Sequence, residues 1–192
     1  YGRLYFDVLF TDGVNPGDVV DVKVLRDGAR QDLQVTLQAN RPDDGVVPRY
    51  VIDQSPEYHE VGGLVFMPLT FDYMRQWQGW WENGPLYLLV AIDARNANPT
   101  RPGERMVVMS KVLPDAVNLG YADLGALLVS KVNGRPILGL DDLRAALKAP
   151  QDGFHIIEFD PGQSASRLVL DAKAAEAAAA GIHQRYGLPD PQ

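Results

Sequence analysis

Cysteine is absent from the 192 residues, and with it go disulfides, thiol nucleophiles and thiolate metal sites. The same absence suits an oxidising compartment. Basic residues are scarce, 18 Lys and Arg against 25 Asp and Glu, for a net charge of −7. Neither end of the chain is basic: residues 1–60 carry 6 basic against 11 acidic side chains, and the rest 12 against 14. That balance argues against a nucleic-acid partner or an anionic membrane. No apolar run approaches the roughly 20 residues of a membrane-spanning helix. Tyr1 opens without a basic stretch followed by an apolar one, so either a targeting segment has been removed or the sequence is a piece of a longer protein, the reading that the residues further on favour.

Histidine is nearly as rare, with three in all. His59-Glu60 has no second histidine at ligand spacing, and His155 and His183 stand far apart, so no metal site and no cofactor is read. Ser55, Ser110, Ser130, Ser164 and Ser166 lie outside any nucleophile-elbow context. What is present is an ordinary globular balance, 46% hydrophobic and 22% charged, at a length that fits one domain or two small ones.

Residues 2–10 space Leu4, Tyr5, Val8 and Leu9 for a short amphipathic helix, with a strand as the alternative over so few residues. Residues 18–25 alternate through Val20, Val22 and Val24, turn at Arg26-Asp27-Gly28, and alternate again at Leu33, Val35 and Leu37, a β-hairpin. Residues 40–60, rich in Pro, Asp and Gly, read as a linker. A strand over 61–69 enters through two glycines, and Thr70 caps a helix expected over 71–81. Strands are expected over 87–92, 106–113, 128–132, 154–159 and 167–170. Helices are expected over 140–149 and from Asp171 to about Tyr186. Mixed short strands and helices point to α+β. Three tryptophans within five positions, Trp77, Trp80 and Trp81, cannot all face inward on one helix, which predicts partial exposure and a docking surface.

Residues 111–147 (KVLPDAVNLGYADLGALLVSKVNGRPILGLDDLRAAL) resemble a PDZ domain of HtrA/Deg-type serine proteases. The likeness lies in the order of parts: strand, VLP turn, short helix, strand, Val132-Asn133-Gly134-Arg135-Pro136, then a helix opening on Asp142-Leu143. The segments 55–66 (SPEYHEVGGLVF) and 118–121 (NLGY), and Leu170-Asp171-Ala172-Lys173 before an alanine-rich helix, are most similar to the second PDZ-like domain of plant-type Deg proteases. Residues 2–37 are similar to the end of the PDZ domain before it.

That resemblance implies a partly open antiparallel β-barrel or sandwich with two or three helices. It divides the chain into residues 1–39 (the end of a first PDZ domain), a linker 40–60, and a second PDZ-like domain 61–192. It implies a peptide C-terminus pairing with the strand from Leu64, its carboxylate received at Gly62, Gly63 and Leu64. Leu64 and Phe66 would line the pocket, Leu147 would close it, and Leu140 and Arg144 would border the groove. Two positions depart from the pattern: Gly62 stands where an apolar wall residue is usual, and Arg144 where the helix often carries something small. Pro68 removes one N–H from the strand.

The function implied is that of a non-catalytic region of a Deg/HtrA-type endopeptidase, recognising peptide C-termini or unfolded substrate for the protease domain. The alternative is a structural module, its groove occluded by its own residues, that holds domains or subunits of a homo-oligomer together. The trypsin-like domain and its triad are not in this sequence, so the chain alone is expected to hydrolyse nothing. The compartment is open between a bacterial periplasm and an organelle. Whether the strand after Gly63 has a free edge discriminates the two readings.

Overall fold

The computed structural model describes residues 13–39, 45–48, 55–96 and 99–189. The chain forms two compact units, Tyr1–Arg41 and Pro42–Gln192.

In the first unit β1 (Val19–Arg26) and β2 (Ala29–Thr36) form the expected antiparallel hairpin, joined through Asp27 and Gly28, both with positive φ. Such a turn matches the right-handed twist of its strands. The register sets Val20 opposite Val35 and Val22 opposite Leu33, so one face is an apolar stripe. Leu33 and Val35 stay exposed. The helix expected over residues 2–10 lies outside the described residues.

The second unit runs β3 (His59–Val61), β4 (Leu64–Pro68), α1 (Phe71–Met74), α2 (Trp80–Asn83), α3 (Leu86–Arg95), β5 (Val107–Val112), a 3₁₀ turn at Ala116–Asn118, β6 (Gly125–Val132), β7 (Arg135–Pro136), α4 (Leu140–Leu147), β8 (Phe154–Phe159), β9 (Arg167–Asp171) and α5 (Ala172–Tyr186). Its curled antiparallel sheet has the order β3-β4-β5-β6-β8-β9, with β7 paired to β6. This is the α+β, PDZ-like architecture expected from the sequence.

Strand side chains alternate between faces, and here both faces are covered. Leu64, Phe66, Val107, Met109, Leu127 and Val129 point into one core with α4 and the β8–β9 strands. Val108 and Leu128 point the other way, into a second core with Met74, Leu88, Ile92, Val46 and Val47. Val46 and Val47 are fully buried. Val47 N–H donates to Asn96 Oδ1 (2.8 Å), and Pro48 O accepts from Phe71 N–H (3.1 Å). Part of the segment read as linker is thus packed core.

Two local expectations are corrected. The run from Tyr87 to Ile92 is helical, part of α3, not a strand. Leu88 and Ile92, one turn apart, bury against the second core, and Tyr87 Oη donates to Ala126 O on β6 (2.9 Å). A short apolar run fits either element until its partner is known. The helix expected over 71–81 is split: Thr70 caps α1 by accepting Tyr73 N–H (3.0 Å), and Gly79, left-handed at φ 61°, turns the chain before α2. That turn brings Trp80 onto Phe71, ring centroids 5.3 Å apart, while Trp77 meets Tyr73 edge-on at 5.7 Å. Trp81 is left 65% exposed, and Leu86 and Val90 on α3 are exposed as well.

Candidate functional site

The strand expected to receive a peptide is β4, and α4 lies across from it. On one side β4 pairs with β5, and Leu69 N–H continues that ladder to Met106 O (2.7 Å). On its other side β4 pairs with β3, in the register Val61–Leu64, Glu60–Val65 and His59–Phe66. N–H groups of a strand point alternately to its two sides. Since Leu69 donates toward β5, the outward positions are Leu64, Phe66 and Pro68. Val61 and His59 stand opposite the first two, and proline has no N–H to offer. The outer edge of β4 has no donor left over.

Val61 and Leu64 are joined by Gly62 (φ 55°) and Gly63 (φ 85°), a two-residue turn that needs left-handed backbone at both positions. A Cβ on Gly63 would lie 2.2 Å from Asn118 Nδ2 and 2.4 Å from Leu113 O; one on Gly62 would meet Leu170 Cδ1 at 2.9 Å. Only glycine fits at Gly63. Asn118, buried, holds the turn: its Nδ2 donates to Gly62 O and to Leu113 O, both at 2.8 Å, and its Oδ1 accepts Asp115 N–H (3.0 Å). Leu113 N–H donates to Gly63 O (2.7 Å).

The N–H of Gly63 is already taken. It donates to Oε1 of Glu60, whose Oε2 lies 2.9 Å from His183 Nε2 on α5. The Glu60 side chain is only 2% exposed and that of His183 10%. One of the three N–H groups that the resemblance assigns to a peptide's terminal carboxylate is therefore taken by a carboxylate of the chain itself.

The seven expected site residues fall into three environments. Leu64, Phe66, Leu140 and Leu147 are gathered into the first core. Gly62 and Gly63 form the hairpin turn. Arg144, half-buried on α4, reaches Glu57 Oε1 (2.8 Å) just ahead of β3, and Asp141 Oδ1 (3.0 Å). His59 titrates below its ordinary value, first because it is partly buried and then because Arg144 is near. Glu60, Asn118 and His183 were not among the expected residues. Glu60 and Asn118 sit inside the segments that carry the resemblance, but His183 is 123 positions from Glu60, a distance no local pattern bridges. Among the described residues no group of three His, Cys, Asp or Glu is placed to hold a metal ion.

Residues 47–192 match the profile of a PDZ domain family. Curated relatives are all proteases by name. Protease Do-like 2, chloroplastic, of Arabidopsis thaliana is 31% identical over 173 residues, covering 90% of this chain and 27% of that protein. Putative protease Do-like 3, mitochondrial, from the same plant is 32% identical over 128 residues, 67% of this chain and 20% of its own. Protease Do-like 4, mitochondrial, again from A. thaliana, is 31% identical over 166 residues, 80% and 28%. The chain thus spans about a quarter of the length of these relatives. The matches bear out the resemblance read from residues 111–147.

Proposed function

The chain belongs to the PDZ domain family, and on that footing we propose that it is a non-catalytic region of a Do-like serine protease in which residues 42–192 serve as a structural PDZ module. Its groove is filled by its own strand, and it works through contacts with other domains or subunits of a protease oligomer. The observation that carries this reading is the pairing of β3 along the outer edge of β4. An added peptide strand needs free main-chain donors and acceptors, and Leu64 and Phe66 have partners in β3 while Pro68 has no donor. Trp81 on α2 and Leu86 and Val90 on α3 are exposed apolar side chains suited to contacts of the second kind. Hydrolysis of substrate would be carried out by a protease domain outside this sequence. The hairpin β1–β2 would close a preceding PDZ domain, which would cover its apolar face.

The test is a titration of the 192-residue chain with unstructured peptides of varied free C-termini and their amidated forms. All three tryptophans lie at α1–α2, and the sheet separates that layer from the core that holds α4, so calorimetry and amide NMR of β4 are the readouts. No saturable, amidation-sensitive binding is expected up to roughly millimolar peptide, which corresponds to about 4 kcal/mol. Saturable binding abolished by amidation would overturn the proposal and make Gly62, Gly63, Leu64, Phe66, Leu140, Arg144 and Leu147 a working groove.

A further inference from the structure

Burying a carboxylate costs several kcal/mol unless both oxygens find partners. Glu60 meets that condition with one backbone N–H and one imidazole, from elements far apart in the chain. Both donors are held by other contacts. Gly63 is fixed by Leu113 N–H and the tight fit against Asn118. His183 is fixed through the end of α5: its carbonyl accepts from Leu188 N–H (3.0 Å), Arg185 pairs with Asp115 (2.8 Å), and Tyr186 Oη donates to Pro114 O (2.8 Å). Pro114 and Asp115 open the turn that carries Asn118, so a closed ring of contacts runs from α5 back to the Gly62–Gly63 turn.

We infer that the Gly63 N–H and the His183 imidazole form a carboxylate-binding site, occupied by Glu60 as a built-in ligand, which takes a small carboxylate anion from solution when the Glu60 carboxylate is removed. This rests on the closed-groove reading above and extends it from the paired edge of β4 to the anion site at its end. The ligand class follows from the donors: the Gly63 N–H faces one oxygen of the Glu60 carboxylate and His183 Nε2 the other, and an acceptor-only carboxylate oxygen requires that nitrogen to carry the proton.

The experiment uses the full chain as wild type, Glu60→Ala, and Glu60→Ala with His183→Ala. Each is melted in sodium acetate, sodium formate, acetamide and sodium chloride, the salts at equal ionic strength. Glu60→Ala is expected to melt several degrees below wild type and to recover much of that loss saturably with acetate or formate. Acetamide and chloride should not restore it, and the double variant should gain nothing from acetate. If Glu60→Ala does not fold, refolding yield in acetate against chloride reads the same question. Equal effects of acetate and chloride, or rescue that persists without His183, would overturn the site. A wild-type chain that binds free C-terminal peptides would instead sink the closed-groove reading, and that result is read separately from the acetate arm.

Discussion

Arg144 Nη1 on α4 stands 2.8 Å from Glu57 Oε1, tying the helix to the segment that leads into β3. The pair lies at the surface, Glu57 exposed and Arg144 half-buried, so it contributes only about 0–1 kcal/mol and weakens with salt. Its clearer signature is on His59, which is depressed by burial and, second, by the Arg144 charge. Replacing Arg144 with Gln should raise the His59 pKa toward its ordinary value, followed by NMR titration, with little change in melting temperature. An unmoved His59 titration would show that the charge does not reach it.

The two glycines of the turn should differ in tolerance. Gly63→Ala forces a left-handed alanine and a clash with Leu113 O and Asn118 Nδ2, neither free to move. The cost expected is about 2–5 kcal/mol from backbone strain and overpacking together. Gly62→Ala meets the end of the Leu170 side chain at 2.9 Å and Ala175 Cβ on α5 at 3.1 Å, looser than the backbone and amide contacts at Gly63, and should cost roughly 1–3 kcal/mol. Urea denaturation of the two variants gives the ordering, and equal losses would contradict it.

Acid should destabilise the domain through His155. Its ring is buried, and its Nδ1 has no hydrogen-bond partner among the described residues. Burial holds its pKa below the ordinary value. Above about pH 6.5 the ring is neutral both folded and unfolded, so stability does not depend on it. As pH falls below that, the unfolded chain takes up the proton first and stability declines, by at most about 1.4 kcal/mol per pH unit, until the folded ring also protonates. His59, lowered likewise, adds to the same trend. His155→Leu should flatten this limb of the stability profile, measured by denaturant titration between pH 7 and 5.

The helical layer should separate into packing and contact residues. Leu88, fully buried in the second core, should cost about 2–5 kcal/mol when cut to alanine. Trp81→Ser with Leu86→Ser removes exposed side chains, giving up the edge-on contact of Trp81 with Trp80 (6.0 Å), and should cost about 0.5–1.5 kcal/mol, less than Leu88→Ala. On the proposed function, the same pair introduced into the full-length protein should loosen its oligomer, read by sedimentation velocity. Unaltered assembly would remove these side chains from the proposed contacts.

Local chemistry made much of the domain legible. The Asn133-Gly134 turn, the α4 helix from Leu140 and the Asp171 cap, whose Oδ1 accepts Ala174 N–H (2.8 Å), all follow from side chains near in sequence. The run Tyr87–Ile92, expected as a strand, is helical: its apolar stretch is short enough to fit either element, and Leu88 and Ile92, one turn apart, bury in a core shared with Val46 and Val47. The site was legible in part. Gly62-Gly63 marked the turn, but β3 has three residues and no alternation to display, and Glu60 acquires its meaning only when α5 delivers His183. Long-range pairing of single side chains leaves no period to read.

On the proposed reading, in which β3 is the groove's own ligand, the two-residue link between β3 and β4 changes what competition for this groove means. A ligand joined to its receptor by so short a connection is present at an effective concentration on the order of millimolar or above, whatever the protein's own dilution. It cannot be depleted by degradation or titrated away by other receptors. An outside strand would compete against the folding free energy of the hairpin rather than against an affinity. Occupancy of the groove is then inherited with the gene, and substitutions that strain the Gly62–Gly63 turn, more than any improvement in a visiting peptide, are the route by which it would open.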